Sequence, residues 1–450
     1  MHRFTRVSAV ALVALTVSYA AVLVAKDLGS QSPALPVSIR YVLDRAGWDA
    51  AAFSQLKDFA VRALSVEEPA LSETPVTPVT LPTGVETYFA AVAGGGAPSY
   101  NEIALEKNVL YFQRSLQTKG FIPSFTNLFF ANGNDGQQTV RYLDERDREQ
   151  FKIPEIPHLT GAANYGNTKG WFEAIAQTDK PCPAFFYFTG HGAYNPDNQD
   201  NNWLILWEEA LVSVREFASW LAPLPADQPF VTMMAQCYSG SFTNLIYENG
   251  DPNQPVALQS RCGFFATVAD RPSVGCTPAV NEADYQDYSS SFFAGLTGRD
   301  RLGEPVESAD YNQDGQVSYA EAHGFAKVDE ETTDWPISTL EAWLQRQIRP
   351  LEIEGILAQP IDNWWVLARP EQQYVIRGLV DKLSFDSKLS YVENQTLGLI
   401  PAANTVKEAY QMRLKMELIN IGAEALLRDE QNPETLEILQ QLLACEAGSW

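Results

Sequence analysis

Two short motifs hold the residues best suited to covalent chemistry. His191 stands in Phe188-Thr189-Gly190-His191-Gly192, and Cys237 stands in Met234-Ala235-Gln236-Cys237-Tyr238-Ser239-Gly240. A thiol needs only modest activation, because its thiolate is already a strong nucleophile. Glycine on both sides of the histidine lets backbone N–H groups approach a substrate carbonyl closely. Such groups stabilise a developing oxyanion. The chemistry these types permit is attack of sulfur on a carbonyl carbon, with the imidazole moving the proton.

That chemistry requires elements that bring the two motifs together. Each motif follows an apolar run of strand length: 184–189, apolar throughout and so expected to be buried on both faces, and 230–235. Further strands are expected at 88–93, 127–131 and 263–269. Helical spacing of Leu105, Val109, Phe112 and Leu116 gives a helix that stops at Gly120. Further helices are expected at 214–221, with Ser213 as N-cap, and at 290–296. Strands alternating with helices predict an α/β fold with a mostly parallel sheet flanked by helices. Active sites of such sheets lie at the C-terminal ends of the strands, where both motifs fall.

Thr189-Gly190-His191-Gly192 followed by Cys237-Tyr238-Ser239-Gly240-Ser241-Phe242 resembles the catalytic pair of caspase-like cysteine peptidases, the superfamily of caspases, metacaspases, legumain and the gingipains. The resemblance covers about residues 87–328 and is strong around these two motifs. It implies a caspase-type fold and an endopeptidase acting on a protein or peptide substrate. In it Cys237 attacks the scissile carbonyl to give an acyl-enzyme. His191 protonates the leaving amine and then assists water, and the N–H groups of Gly192 and Cys237 form the oxyanion hole. Asp270, Arg271, Asp284, Asp287 and Ser290 fall where this superfamily builds its S1 pocket. Two positions before the nucleophile, metacaspases carry an acidic residue, caspases Gln and legumain Glu. This chain has Ala235 there, so the P1 preference is open.

A second motif concerns a metal. Asp310, Asn312, Asp314, Gly315, Gln316, Ser318 and Glu321 fill the diagnostic places of a twelve-residue EF-hand loop at 310–321. Side-chain oxygens come from Asp310, Asn312, Asp314 and Ser318, a carbonyl from Gln316, and a bidentate carboxylate from Glu321. A structural Ca²⁺ is expected. The acidic and amide run Asp197, Asp200, Asn201 and Asn202 reads as a solvated loop. His158 reads as a loop residue, His323 as exposed on the helix leaving the calcium loop, and Trp364 and Trp365 as packing.

Arg3 and Arg6 precede an uncharged apolar stretch, 7–25, that ends at Lys26 and Asp27. This pattern suits a secretory signal or a retained membrane anchor, and either puts the protein outside the cytoplasm. Of the five cysteines, an odd count for an exported chain, one thiol is expected free. If that is Cys237, the remaining four allow three pairings, and Cys262–Cys276 is the expected bridge because the two flank one loop. The organisation predicted is a signal or anchor at 1–26, a short helical segment and Pro-rich linker at 27–84, the catalytic domain at 85–330 and a mainly helical region at 331–450.

The formal net charge of −24 is spread along the chain and offers no basic face, which excludes nucleic acid as a partner. A cysteine α/β-hydrolase needs glycines two before and two after the nucleophile and a later histidine. Ala235 and Ser239 occupy those places, and the only later histidine is His323. Two rivals share the fold: a calcium-binding scaffold with an inactive site, and a ligase or transpeptidase that passes the acyl group to an amine.

Overall fold

Ten strands form in the computed structural model, which describes residues 74–398 and 401–450. They are β1 Tyr88–Gly94, β2 Thr126–Phe130, β3 Val140–Leu143, β4 Glu149–Lys152, β5 Ala184–Ala193, β6 Trp203–Leu206, β7 Ala210–Ser213, β8 Phe230–Met234, β9 Arg261–Phe265 and β10 Ile337–Ser338. The central sheet runs β10-β9-β8-β5-β1-β2. All neighbours are parallel except β10, which pairs antiparallel with β9. β6 and β7 form an antiparallel extension from the far end of β5, and β3–β4 is a separate hairpin. The α/β prediction holds at this level.

The central strands are apolar on both sides for a visible reason. In β5, Phe186 and Phe188 enter one core while Phe185 and Tyr187 enter the other. This is the two-residue period of a strand covered on both faces. Twelve helices supply the cover among the described residues: α1 Ile103–Thr118, α2 Tyr165–Ala176, α3 Val214–Leu221, α4 Tyr288–Thr297, α5 Tyr319–Asp329, α6 Thr339–Gln347, α7 Pro350–Leu357, α8 Ile361–Trp365, α9 Pro370–Leu383, α10 Tyr391–Leu397, α11 Val406–Glu430 and α12 Pro433–Glu446. Trp171, Phe172, Phe217, Trp220, Trp343 and Leu442 close one face; Phe112, Phe292, Phe293 and Ala322 close the other. Ser213 caps α3 as expected, accepting the Glu216 N–H at 3.2 Å.

The strand expected at 263–269 is Arg261–Phe265 instead. The Thr267 N–H turns to Ser239 Oγ at 3.3 Å, so the backbone leaves the sheet to meet the turn behind Cys237. The boundary expected at 330 is absent. Residues on both sides of it belong to one compact unit. β10 completes the sheet, and Trp450 packs edge-on against Phe89, Phe112 and Phe185 with centroids 5.1–5.6 Å apart. Arg413 of α11, fully buried, donates to the carbonyls of Asp334 (2.9 Å), Lys327 (3.1 Å) and Glu330 (2.8 Å). α9 and α11 otherwise share their own apolar cluster, around Leu379, Leu414 and Leu418.

The expected Cys262–Cys276 bridge is also replaced. Cys262 bonds Cys445, joining β9 to α12. Cys262, the second residue of β9, is buried in the same core as Cys445, whereas Cys276 is exposed on the strap. His323 is buried rather than exposed. Its Nδ1 meets Tyr288 Oη at 2.7 Å and its Nε2 meets Glu341 Oε2 at 3.1 Å. The packing of α5 between α4 and the C-terminal helices accounts for this. Lys327 joins the same group through Glu341 and through Glu417 at 2.6 Å. Trp364 and Trp365 pack against the α9–α11 cluster, as expected. The leader at 1–26 and most of the linker lie outside the described residues. Among the described residues no helix is long and apolar enough to cross a membrane.

Candidate active site

β5 and β8 are adjacent and parallel, with Phe188 opposite Met234. His191 and Cys237 follow those residues at one edge of the sheet. Cys237 lies between the end of β8 and a short 3₁₀ helix, Ser239–Ile246. The turn is tight: Tyr238 is left-handed (φ 60°), a costly conformation for an aromatic residue, and its N–H donates to the Arg271 carbonyl at 2.8 Å. Gly192 is required by proximity. A Cβ there would sit 2.1 Å from the Cys237 carbonyl oxygen. The two backbones assigned to the oxyanion hole therefore touch.

Behind His191 stands a residue the sequence did not single out. Glu102, at the head of α1, places Oε2 3.0 Å from His191 Nε2. Its other oxygen takes a 2.7 Å bond from Arg141, which also pairs with Glu149. Burial opposes the charged carboxylate, but the adjacent His191 and Arg141 prevail and hold its pKa at about 2. Burial likewise opposes an imidazolium at His191. Cys276 and Glu102 beside the ring outweigh it and raise the histidine well above 6.5.

A strap, residues 271–278, crosses the site. Cys237 Sγ donates to the Ser273 carbonyl at 3.5 Å and accepts the Ser273 N–H at 3.3 Å. Burial, reinforced by Cys276, pushes the Cys237 thiol up to about 11; the Ser273 N–H and His191 pull the other way. Cys237 thus rests as a thiol bonded to the strap. Asp334 holds the strap from below, accepting from Ser273 Oγ at 2.6 Å and from the Val274 N–H at 3.1 Å. Burial lifts Asp334 to about 7. Beyond it, the Thr277 and Pro278 carbonyls accept from Ala104 (3.3 Å) and Leu143 (2.8 Å).

The residues expected to line S1 separate into two groups. Arg271 lies on the strap, its guanidinium stacked 3.9 Å over Trp335, and Asp270 precedes it on the exposed surface. Asp284 is exposed and bonds Asn281. Asp287 and Ser290 serve the fold: Asp287 caps α4 and pairs with buried Arg301, and Ser290 accepts from Arg301. Of the polar loop after His191, Asn202 is buried and donates to the Ala269 carbonyl at 2.8 Å.

At 310–321 the chain makes the turn a calcium loop needs. Gly315 has φ +88°, and its N–H and that of Asp314 bond the Asp310 carboxylate at 3.0 and 3.1 Å. Glu321 Oε1 accepts from Tyr311 and Asn312, drawing the twelfth position back onto the first turn. Ser318 caps α5, and its N–H bonds Glu321 Oε2 at 2.8 Å. The donor set is all oxygen, as Ca²⁺ requires, and the loop geometry fits it. A helix leaves the loop but none enters it, unlike the two-helix EF-hand.

Comparison with family models and with curated proteins finds no match to this chain.

Proposed function

We propose that the protein is a cysteine endopeptidase of the caspase-like type, exported from the cytoplasm, acting through Cys237 and His191. The observation that carries this reading is the placement of both residues just beyond the parallel-paired stretch of adjacent strands, with Gly192 pressed on the Cys237 backbone. Cys237 sulfur bonds the substrate carbonyl carbon as the neutral imidazole of His191 takes the thiol proton. The peptide C–N bond then breaks as His191 protonates the amine. Water, deprotonated by His191, releases the acid and restores the thiol. Backbone N–H groups of Gly192 and Cys237 face the oxyanion. Glu102 is a positioning residue: it fixes the ring and favours its charged form.

The test is brief treatment of the full chain, calcium-loaded, with acyloxymethyl-ketone peptides varied at P1, followed by mass spectrometry. Stoichiometric labelling at Cys237 by one P1 class is the expected result. A second reading has its own support, since Cys237 is bonded to Ser273 rather than poised for attack. If no probe labels Cys237 while denaturation exposes its thiol, the protein is an inactive scaffold or a latent form still covered by the strap.

Glu102→Gln is expected to lower the labelling rate on the order of 10²-fold, less than loss of His191 itself. Without the carboxylate, burial pulls His191 down, so the acidic limb of the pH–rate profile, where the ring must lose its proton before it can take that of Cys237, moves to lower pH. A purely structural role for Glu102 would lower the melting temperature and leave that limb in place.

Asp310, Asn312, Asp314, Gln316, Ser318 and Glu321 would hold Ca²⁺, which would neutralise three neighbouring carboxylates and clamp the start of α5. Calcium at a hundredfold excess over its dissociation constant is expected to add about 2.7 kcal/mol of stability. Thermal melts should register the gain in the native chain and lose it in Asp314→Ala. Equal melts with calcium and with chelator would remove the metal from this reading.

A further inference from the structure

The strap carries a thiol that the reaction above does not use. Cys276 Sγ, one imidazole nitrogen of His191 and one carboxylate oxygen of Glu102 all lie within 4.8 Å of one another. The three come from well-fixed supports: the head of α1, the end of β5, and a strap tied down by the Ala104 and Leu143 N–H groups. Glu102 is buried and already oriented by Arg141, whose charge is shared with Glu149. Cys276 is open to solvent, which gives an ion a way in.

From this arrangement we infer a second metal site, Glu102–His191–Cys276, that takes a thiophilic divalent cation of the zinc class and holds the peptidase site shut. The donor set is one sulfur, one nitrogen and one oxygen, which Ca²⁺ and Mg²⁺ disfavour and Zn²⁺ accepts. Bond lengths of about 2.0–2.3 Å put neighbouring ligands of a tetrahedral zinc roughly 3.3–3.6 Å apart. Glu102 Oε2 and His191 Nε2, 3.0 Å apart, are already close to that spacing, and Cys276 Sγ lies within 4.8 Å of both ligands. The thiol of Cys276 and the imidazolium each give up a proton on binding. The fourth position is left to water or to the Cys237 thiolate. With one ring nitrogen on a metal and a proton kept on the other, His191 has no lone pair left to take the Cys237 proton, so the site is inhibited without any change of fold. Arg141 is the opposing charge nearest the ion, and its pairing with Glu149 limits the repulsion.

The inference rests on the site described above but not on its being a peptidase, and the test needs no turnover. Reduced full chain, saturated with calcium so that the oxygen loop is filled, is titrated with Co²⁺ and followed by absorbance. A sulfur-to-cobalt charge-transfer band saturating at one metal per chain is expected. It should survive in Cys237→Ala and vanish in Cys276→Ala. Zn²⁺ should displace the cobalt, and Glu102→Gln should weaken zinc at least ~tenfold by competition. Absence of the band overturns the inference. So does a band lost in Cys237→Ala but kept in Cys276→Ala, which puts the metal on the nucleophile. A band kept in both variants puts it on Cys182, and also overturns the site.

Discussion

His191→Ala is expected to slow acylation of Cys237 by about 10³–10⁴-fold, at the upper end of what a positioned acid–base group contributes. The size follows from the state of the nucleophile. Its thiol is held up to about 11, so at neutral pH almost none is thiolate unless a partner takes the proton. His191 is also the group placed to protonate the leaving amine. Acylation rate with the best ketone probe is the measurement, and a melting curve is the control. Glu102 keeps its 2.7 Å pair with Arg141 when the imidazole is gone, so the fold should hold. A rate within tenfold of the native protein would mean that Cys237 is activated by some other group, and the Cys/His assignment would fail.

The largest effect on stability is expected from breaking the Cys262–Cys445 bridge. The bonded residues are 183 apart in sequence. In the chain-entropy account a closed loop of that length restrains the unfolded chain by about 5 kcal/mol. Replacing both cysteines with Ala should therefore shift the denaturant midpoint strongly downward. It should also loosen α12, whose Leu439 and Leu442 cover the sheet. Unfolding free energies differing by less than about 1 kcal/mol would show that packing alone fixes the C-terminal helices.

The sequence made the two halves of the site legible for a local reason. His191 and Cys237 each sit at the end of an apolar run, and that pattern survives without any knowledge of contacts. The candidate calcium loop was legible because its oxygen-bearing side chains are spaced along twelve consecutive residues. What escaped is long-range. Glu102 lies 89 residues before His191 and has no motif of its own; only the neighbouring positions of β1 and β5 bring them together. Cys276 could be paired on paper with Cys262, but the strap carries it to the opposite side, beside His191. Asp287 and Ser290 have the polarity of pocket residues, yet Arg301 claims both. His323 is enclosed by Tyr288, 35 residues before it, and Glu341, 18 residues after it, contacts that no local pattern announces. The helical C-terminal region was readable as helices. Nothing local told that Arg413 and Trp450 enter the body of the molecule.

Trp450 imposes an order on synthesis. Its indole stands among Phe89, Phe112, Phe185 and Phe293, rings from β1, α1, β5 and α4. A ribosome delivers those four aromatic residues long before it delivers residue 450. Until then one face of the sheet lacks its last hydrophobic plug, and the nascent chain must travel with that face unsealed. A substitution that removes the Trp450 indole takes away the ring on which this closure depends.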